Sequence, residues 1–179
     1  MRLFVGIFLP KEILDYLYEV QSKLKKQLLG KINWTHKSKI HFTLKFLGEV
    51  NENKINEIKE RLNKIKFKLF KVKLDKVGVF PNENYVKVIW VGLKPKEKMI
   101  ELQQKIDSEL LDLFTKDQEF NVHITLARVK FIKDKEEFRK NLKLDIDEKE
   151  FEVKEFCLVK SNLSKDGAKY EILERFKLN

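Results

Sequence analysis

From Leu3 to Leu9 the chain is almost continuously apolar and rich in β-formers, and Pro10 stops the run. Ile13, Leu17, Val20, Leu24 and Leu28 then recur at helical spacing until Gly30, so a strand followed by an amphipathic helix is predicted. A second strand is predicted from His41 to Leu47, closed by Gly48. A helix with Ile55, Ile58 and Leu62 on one face follows it, capped by Asn51 or Asn53. The same order returns. Val86 to Val91 reads as a strand, Met99, Ile106, Leu110 and Leu113 mark a helix, His123 to Val129 reads as a strand, and a helix runs through Phe138 and Leu142. Extra strands are predicted at Lys68 to Val79, Phe151 to Lys160 and Tyr170 to Leu178, with Ser161 to Gly167 as a polar turn between the last two.

Laying His41 to Leu62 over His123 to Leu142 matches His, Thr and Leu at the same offsets, each strand then feeding an amphipathic helix. An internal duplication accounts for this. The expected fold is α+β: two similar β-α-β-α lobes with antiparallel sheets, related by a pseudo-two-fold axis, with the active-site cleft between them. No low-complexity linker separates the halves, so residues 1–179 are expected to form a single two-lobed domain.

Composition narrows the function classes. Hydrophobic residues make up 42% and charged residues 37%, a balance that folds in water and argues against disorder. No apolar run approaches the roughly 20 residues a membrane span requires. The apolar N-terminus lacks a small-residue cleavage site and runs into a charged helix, so it reads as a core strand and not as a signal segment. Cys157 is the only cysteine, which excludes an intrachain disulfide and a Cys-based zinc site, and fits a buried structural thiol in a reducing cytoplasm. The net charge of +10 favours polyanionic partners such as RNA. Much of it lies in mixed-sign helix patterns such as Glu57-Ile58-Lys59-Glu60-Arg61, the mark of a solvated, ion-paired face.

The chain has three histidines and four threonines, yet both His41 and His123 are followed by Thr at the second position and Leu at the third. Chance gives two such Thr matches roughly once in a thousand sequences of this composition. On a strand, residues two apart share a face, so His41 pairs with Thr43 and His123 with Thr125, while Phe42, Leu44, Ile124 and Leu126 point to the core. Two such strands facing each other would set two proton carriers and two hydroxyls around one phosphate, an arrangement suited to phosphodiester cleavage. His36 has no Thr partner and is read as an ordinary imidazole. Two histidines so far apart in sequence, with no Cys and no carboxylate at ligand spacing, make a poor zinc shell, and no metal is expected.

In these motifs the sequence resembles the two-histidine phosphoesterases, and within them the RNA 2′,3′-cyclic phosphodiesterases also called 2′-5′ RNA ligases. The resemblance spans nearly the whole chain. It includes Arg2-Leu3-Phe4-Val5, Leu44-Lys45-Phe46-Leu47-Gly48, Val77-Gly78-Val79-Phe80-Pro81, Trp90-Val91-Gly92, and Ser161-Asn162-Leu163 followed by Gly167 and Tyr170-Glu171. It implies hydrolysis of a 3′-terminal cyclic phosphate to a 2′-phosphate, with His41 as the general acid that protonates the 3′ oxygen and His123 as the general base that activates water. Thr43 and Thr125 would hold the phosphate oxygens, and Arg128 would steady the phosphate charge. Strict alternation turns Arg128 away from His123, so a bulge or a strand end is required for it to reach the site. The chain departs from the family pattern at Val122, where Pro is common, and at Thr35-His36-Lys37, where the lead-in is usually more apolar. The implied enzyme acts on RNA ends, tRNA among them, without cofactor or metal, as a cytoplasmic monomer. Two rival readings are a 2′-5′ ligase running the same site backwards and a non-catalytic RNA-binding module. The doubled histidines argue against the second.

Overall fold

A computed structural model describes residues 1–165 and 167–179. The first apolar run forms β1 (Arg2–Phe8), and Pro10 opens α1 (Lys11–Gln27), whose Ile13, Leu17, Val20 and Leu24 are buried as their spacing requires. A strand without a sequence forecast, β2 (Gly30–Trp34), follows. Then come β3 (His41–Glu49), a 3₁₀ turn over Glu52–Lys54 capped by the Asn51 side chain, and α2 (Ile55–Asn63). The second half supplies β4 (Phe70–Asn82), β5 (Tyr85–Lys94), α3 (Glu97–Glu109), β6 (His123–Ile132) and α4 (Lys135–Leu142). The single strand expected from Phe151 to Lys160 is two: β7 (Glu150–Val153) and β8 (Glu155–Ser164), interrupted at Lys154. The last strand is β9 (Gly167–Lys177); the turn expected before it includes Asp166, which lies outside the described residues.

All strands join one antiparallel sheet in the order β7-β4-β5-β6-β3-β1-β8-β9, with β2 paired to the far half of β6. The two central strands, β3 and β6, meet through one pair, Phe42 with Ile124. Outward from that junction each half adds three strands, β1-β8-β9 on one side and β5-β4-β7 on the other. The halves are thus pseudo-symmetric, but the C-terminal hairpin returns to the N-terminal half. Because β7 edges one half and β8 lies inside the other with one residue between them, the sheet must curl to bring its ends together.

The helices cross over. α1, which follows β1, packs against α4 and reaches β6, whereas α3, which follows β5, packs on β3. One main core collects Val5, Ile7, Phe42 and Leu44 with Ile89, Val91, Ile124 and Leu126, so the two halves share it. The opposite face of the central strands carries the cleft. Among the described residues no helix is long and apolar enough to cross a membrane.

Candidate active site

The two central strands have the same sequence of environments. His41 and His123 are half-buried, the next residue is buried, Thr43 and Thr125 are half-buried, then two buried residues follow in succession before an exposed one. Two buried neighbours break the alternation of a strand, and the pairing shows why. Opposite β1, Thr43 pairs with Gly6 but Lys45 with Val5; opposite β5, Thr125 pairs with Trp90 but Ala127 with Ile89. Leu44 and Leu126 are the extra residues of two matching bulges. Each bulge reverses the parity, so Phe46 returns to the face of His41 and Arg128 to the face of His123. The bulge required for Arg128 is present.

His41, Thr43, His123, Thr125 and Arg128 all line one cleft of about 730 Å³. The two His-x-Thr strands meet in the continuous sheet at the single pair Phe42 and Ile124. His36 lies outside the cleft lining, exposed, with Nδ1 2.8 Å from the Ser38 hydroxyl at the start of a short 3₁₀ turn.

Each catalytic candidate is oriented by a backbone carbonyl two residues upstream. His41 Nδ1 lies 2.7 Å from Lys39 O, and His123 Nδ1 lies 2.7 Å from Asn121 O. A carbonyl only accepts, so Nδ1 carries a hydrogen and donates it, leaving Nε2 as the nitrogen that gains or loses a proton. His41 Nε2 is 3.0 Å from Thr43 Oγ1. The His41 ring stacks on Phe4 at 4.8 Å and meets Tyr170 edge-on at 5.1 Å. The His123 ring meets Phe80 edge-on at 4.9 Å, with Trp90 behind. Burial pushes both imidazoles below their ordinary pKa of 6.5, and the carbonyl bonds oppose that shift. The charge of Arg128 lowers His123 further, as expected of a guanidinium close to the ring.

Sequence reasoning assigned no role to Phe4, Phe80 or Tyr170, which box the rings, although their segments belonged to the resemblance. It likewise gave no role to Lys45, a lysine at a strand position where the other half has Ala127, and it passed over the buried Gln21 and Gln103. Each of these glutamines stands twenty residues ahead of its histidine, a signal available in the sequence. Among the described residues no group of three or more His, Cys, Asp or Glu side chains is arranged to hold a metal ion.

The family model described as LigT like Phosphoesterase matches residues 7–90 and again residues 91–170, one match for each half of the duplicated fold. The chain belongs to this phosphoesterase family. It is 37% identical over 180 residues to the RNA 2′,3′-cyclic phosphodiesterase of Methanocaldococcus jannaschii, covering 98% of this chain and 100% of the relative. Among solved structures, the phosphoesterase fold matches TT0787 of Thermus thermophilus with a TM-score of 0.82 at 27% identity, covering 99% of this chain and 98% of that one. It matches E. coli LigT complexed with 3′-AMP with a TM-score of 0.76 at 25% identity, covering 99% and 97%.

Proposed function

We propose that this phosphoesterase hydrolyses 2′,3′-cyclic phosphates at RNA 3′ ends, with His41 as general acid and His123 as general base. The observation that carries the reading is the doubled geometry: two imidazoles lining one cleft, each with Nδ1 held by a carbonyl and each with Nε2 left as the working nitrogen. Neutral His123 takes a proton from water, and the hydroxide oxygen bonds to phosphorus. The bond from phosphorus to the 3′ oxygen breaks, and protonated His41 gives its Nε2 proton to that oxygen, leaving a 2′-phosphate. Thr43 beside His41 Nε2 and its counterpart Thr125 offer hydroxyl donors to the non-bridging oxygens. Arg128 offsets the anionic charge, which grows on those oxygens as water adds.

The cleft volume suits a nucleotide. At its rim Phe46 is 70% exposed and presents an aromatic face on which a base can stack. RNA as substrate is further supported by the names of the curated relatives and by the 3′-AMP bound to the LigT relative. The test is incubation with an oligonucleotide ending in a 2′,3′-cyclic phosphate, with and without EDTA. Because proton transfer and hydrogen bonding need no Lewis acid, a 2′-phosphate product at the same rate in both is expected. Binding without turnover, or loss of rate in EDTA restored by a divalent ion, would refute the reading.

A further inference from the structure

Lys45 lies on β3 four residues after His41, and its side chain is 1% exposed. A buried ammonium needs an acceptor for each of its three hydrogens. It has three: the carboxylate of Asp107 on α3, Asp117 Oδ1 at 3.1 Å and the Thr115 carbonyl at 3.0 Å. The cluster is closed by Gln103, whose Nε2 donates to Asp107 at 2.9 Å and to Asp117 at 3.2 Å, and by the Asp117 N–H, which donates to Asp107 at 3.2 Å.

The cluster sits on a connection with no regular structure of its own. Residues 115–122, the last part of the connection from α3 to β6, have neither helix nor strand, and they include Asn121, whose carbonyl holds His123 Nδ1. β3 grips this segment twice, through Lys45 and through Phe42, which meets Phe120 edge-on at 6.0 Å. The other half does the reverse with a neutral group. Gln21 Nε2 donates to Leu126 O on β6 and to Thr35 O in the segment leading to His41, both at 2.8 Å. Each histidine's lead-in is therefore tied to the strand that carries the other histidine.

We propose that Lys45, through Asp107 and Asp117, is a positioning residue for His123. The cross-brace fixes residues 115–122 and so holds the Asn121 carbonyl against Nδ1, which sets the tautomer and the aim of the ring. The effect on rate rests on the proposed function, but the effect on the ring does not.

The test uses the full chain labelled with ¹⁵N-histidine, at a pH where the rings are neutral and without substrate. Lys45→Met leaves Asp107 buried without its cation, so it is informative only if it keeps a cooperative thermal transition. Asp117 is 32% exposed on its side chain, and its removal leaves Lys45 still paired with Asp107, so Asp117→Ala strands no buried charge and carries the experiment. Asp117→Ala should mix the tautomers of His123, moving its ring nitrogen signals while those of His41 stay in place. It should also lower kcat by about 10- to 100-fold with little change in KM, the scale of a misplaced reacting group. Asp117→Asn, which keeps an acceptor for Lys45, should restore most of both. Unmoved His123 signals in folded Asp117→Ala would overturn the proposal, whatever the rate does. Shifted signals in a protein whose wild type leaves cyclic phosphates untouched would retain the brace and refute the proposed reaction.

Discussion

A histidine is set for acid-base work when one nitrogen is held and the other is turned toward the substrate, and in both candidate rings the carbonyls of Lys39 and Asn121 hold Nδ1. Burial depresses both pKa values from 6.5. In the proposed mechanism the productive form of the substrate-free enzyme, His41 protonated and His123 neutral, is most populated midway between the two values. The optimum of kcat/KM is therefore expected below pH 6.5, falling on the acid side as His123 protonates and on the alkaline side as His41 loses its proton. A pH series with a cyclic-phosphate oligonucleotide measures it, and an optimum near pH 8 would contradict the assignment. The doubled motif makes His41, Thr43, His123 and Thr125 readable from sequence as one cluster. The carbonyls that orient the rings are not readable, because every residue type has one. Cys157 is buried as its lone occurrence suggested, and burial pushes its thiol up to about 11, out of the reactive range.

At the scale of the strand, a bulge decides which side chains reach the cleft. Strict alternation would turn Arg128 away, and nothing in His123-Ile124-Thr125-Leu126-Ala127-Arg128 marks Leu126 as the extra residue. The matching bulge at Leu44 shows that the duplication preserved it, with Phe46 in one half where Arg128 stands in the other. Behind His123 the strands leave no slack. Gly78 pairs with Trp90, and a Cβ at Gly78 would lie 2.3 Å from the indole, which contacts Phe80, the ring that meets His123. Gly78→Ala is expected to cost about 1–3 kcal/mol in stability as the indole is displaced, and to lower kcat as the displacement reaches His123. At Gly92 a Cβ would find ordinary contacts of 3.4 Å or more, so Gly92→Ala should be nearly neutral in thermal unfolding. Equal losses at the two sites would show that the indole is not tightly seated. β2 escaped sequence reading because it is a five-residue edge strand with no apolar run. The break at Lys154 does interrupt the alternation, with Lys154 and Glu155 both polar between buried Val153 and Phe156, but so short a polar step does not reveal that the chain passes there from one half of the sheet to the other.

For the molecule as a whole, the repeat order was legible but the exchange of helices and of the C-terminal hairpin between halves was not, since sequence order does not reveal which neighbour an amphipathic face covers. The mixed-sign reading of the helices holds at Glu57 and Arg61, which pair at 3.0 Å, yet a net charge of +10 remains. If that surplus draws RNA to the cleft, KM for a long cyclic-phosphate oligonucleotide should rise more steeply with salt than KM for a dinucleotide, because more phosphates release counterions on binding. Equal slopes would confine recognition to the terminal nucleotide. The central claim is that one histidine from each half serves one phosphate, His41 giving a proton and His123 taking one. It is tested most directly by the rates of His41→Ala and His123→Ala on a natural cyclic phosphate and on a nitrophenyl phosphodiester. Each variant should lose on the order of 10²- to 10⁴-fold on the cyclic phosphate. The nitrophenolate leaves without a proton, so most of the loss in His41→Ala should vanish on the aryl diester, while His123→Ala should stay impaired because water still needs a base. Rescue of His123→Ala alone would reverse the two roles, and rescue of neither would contradict acid-base catalysis by this pair.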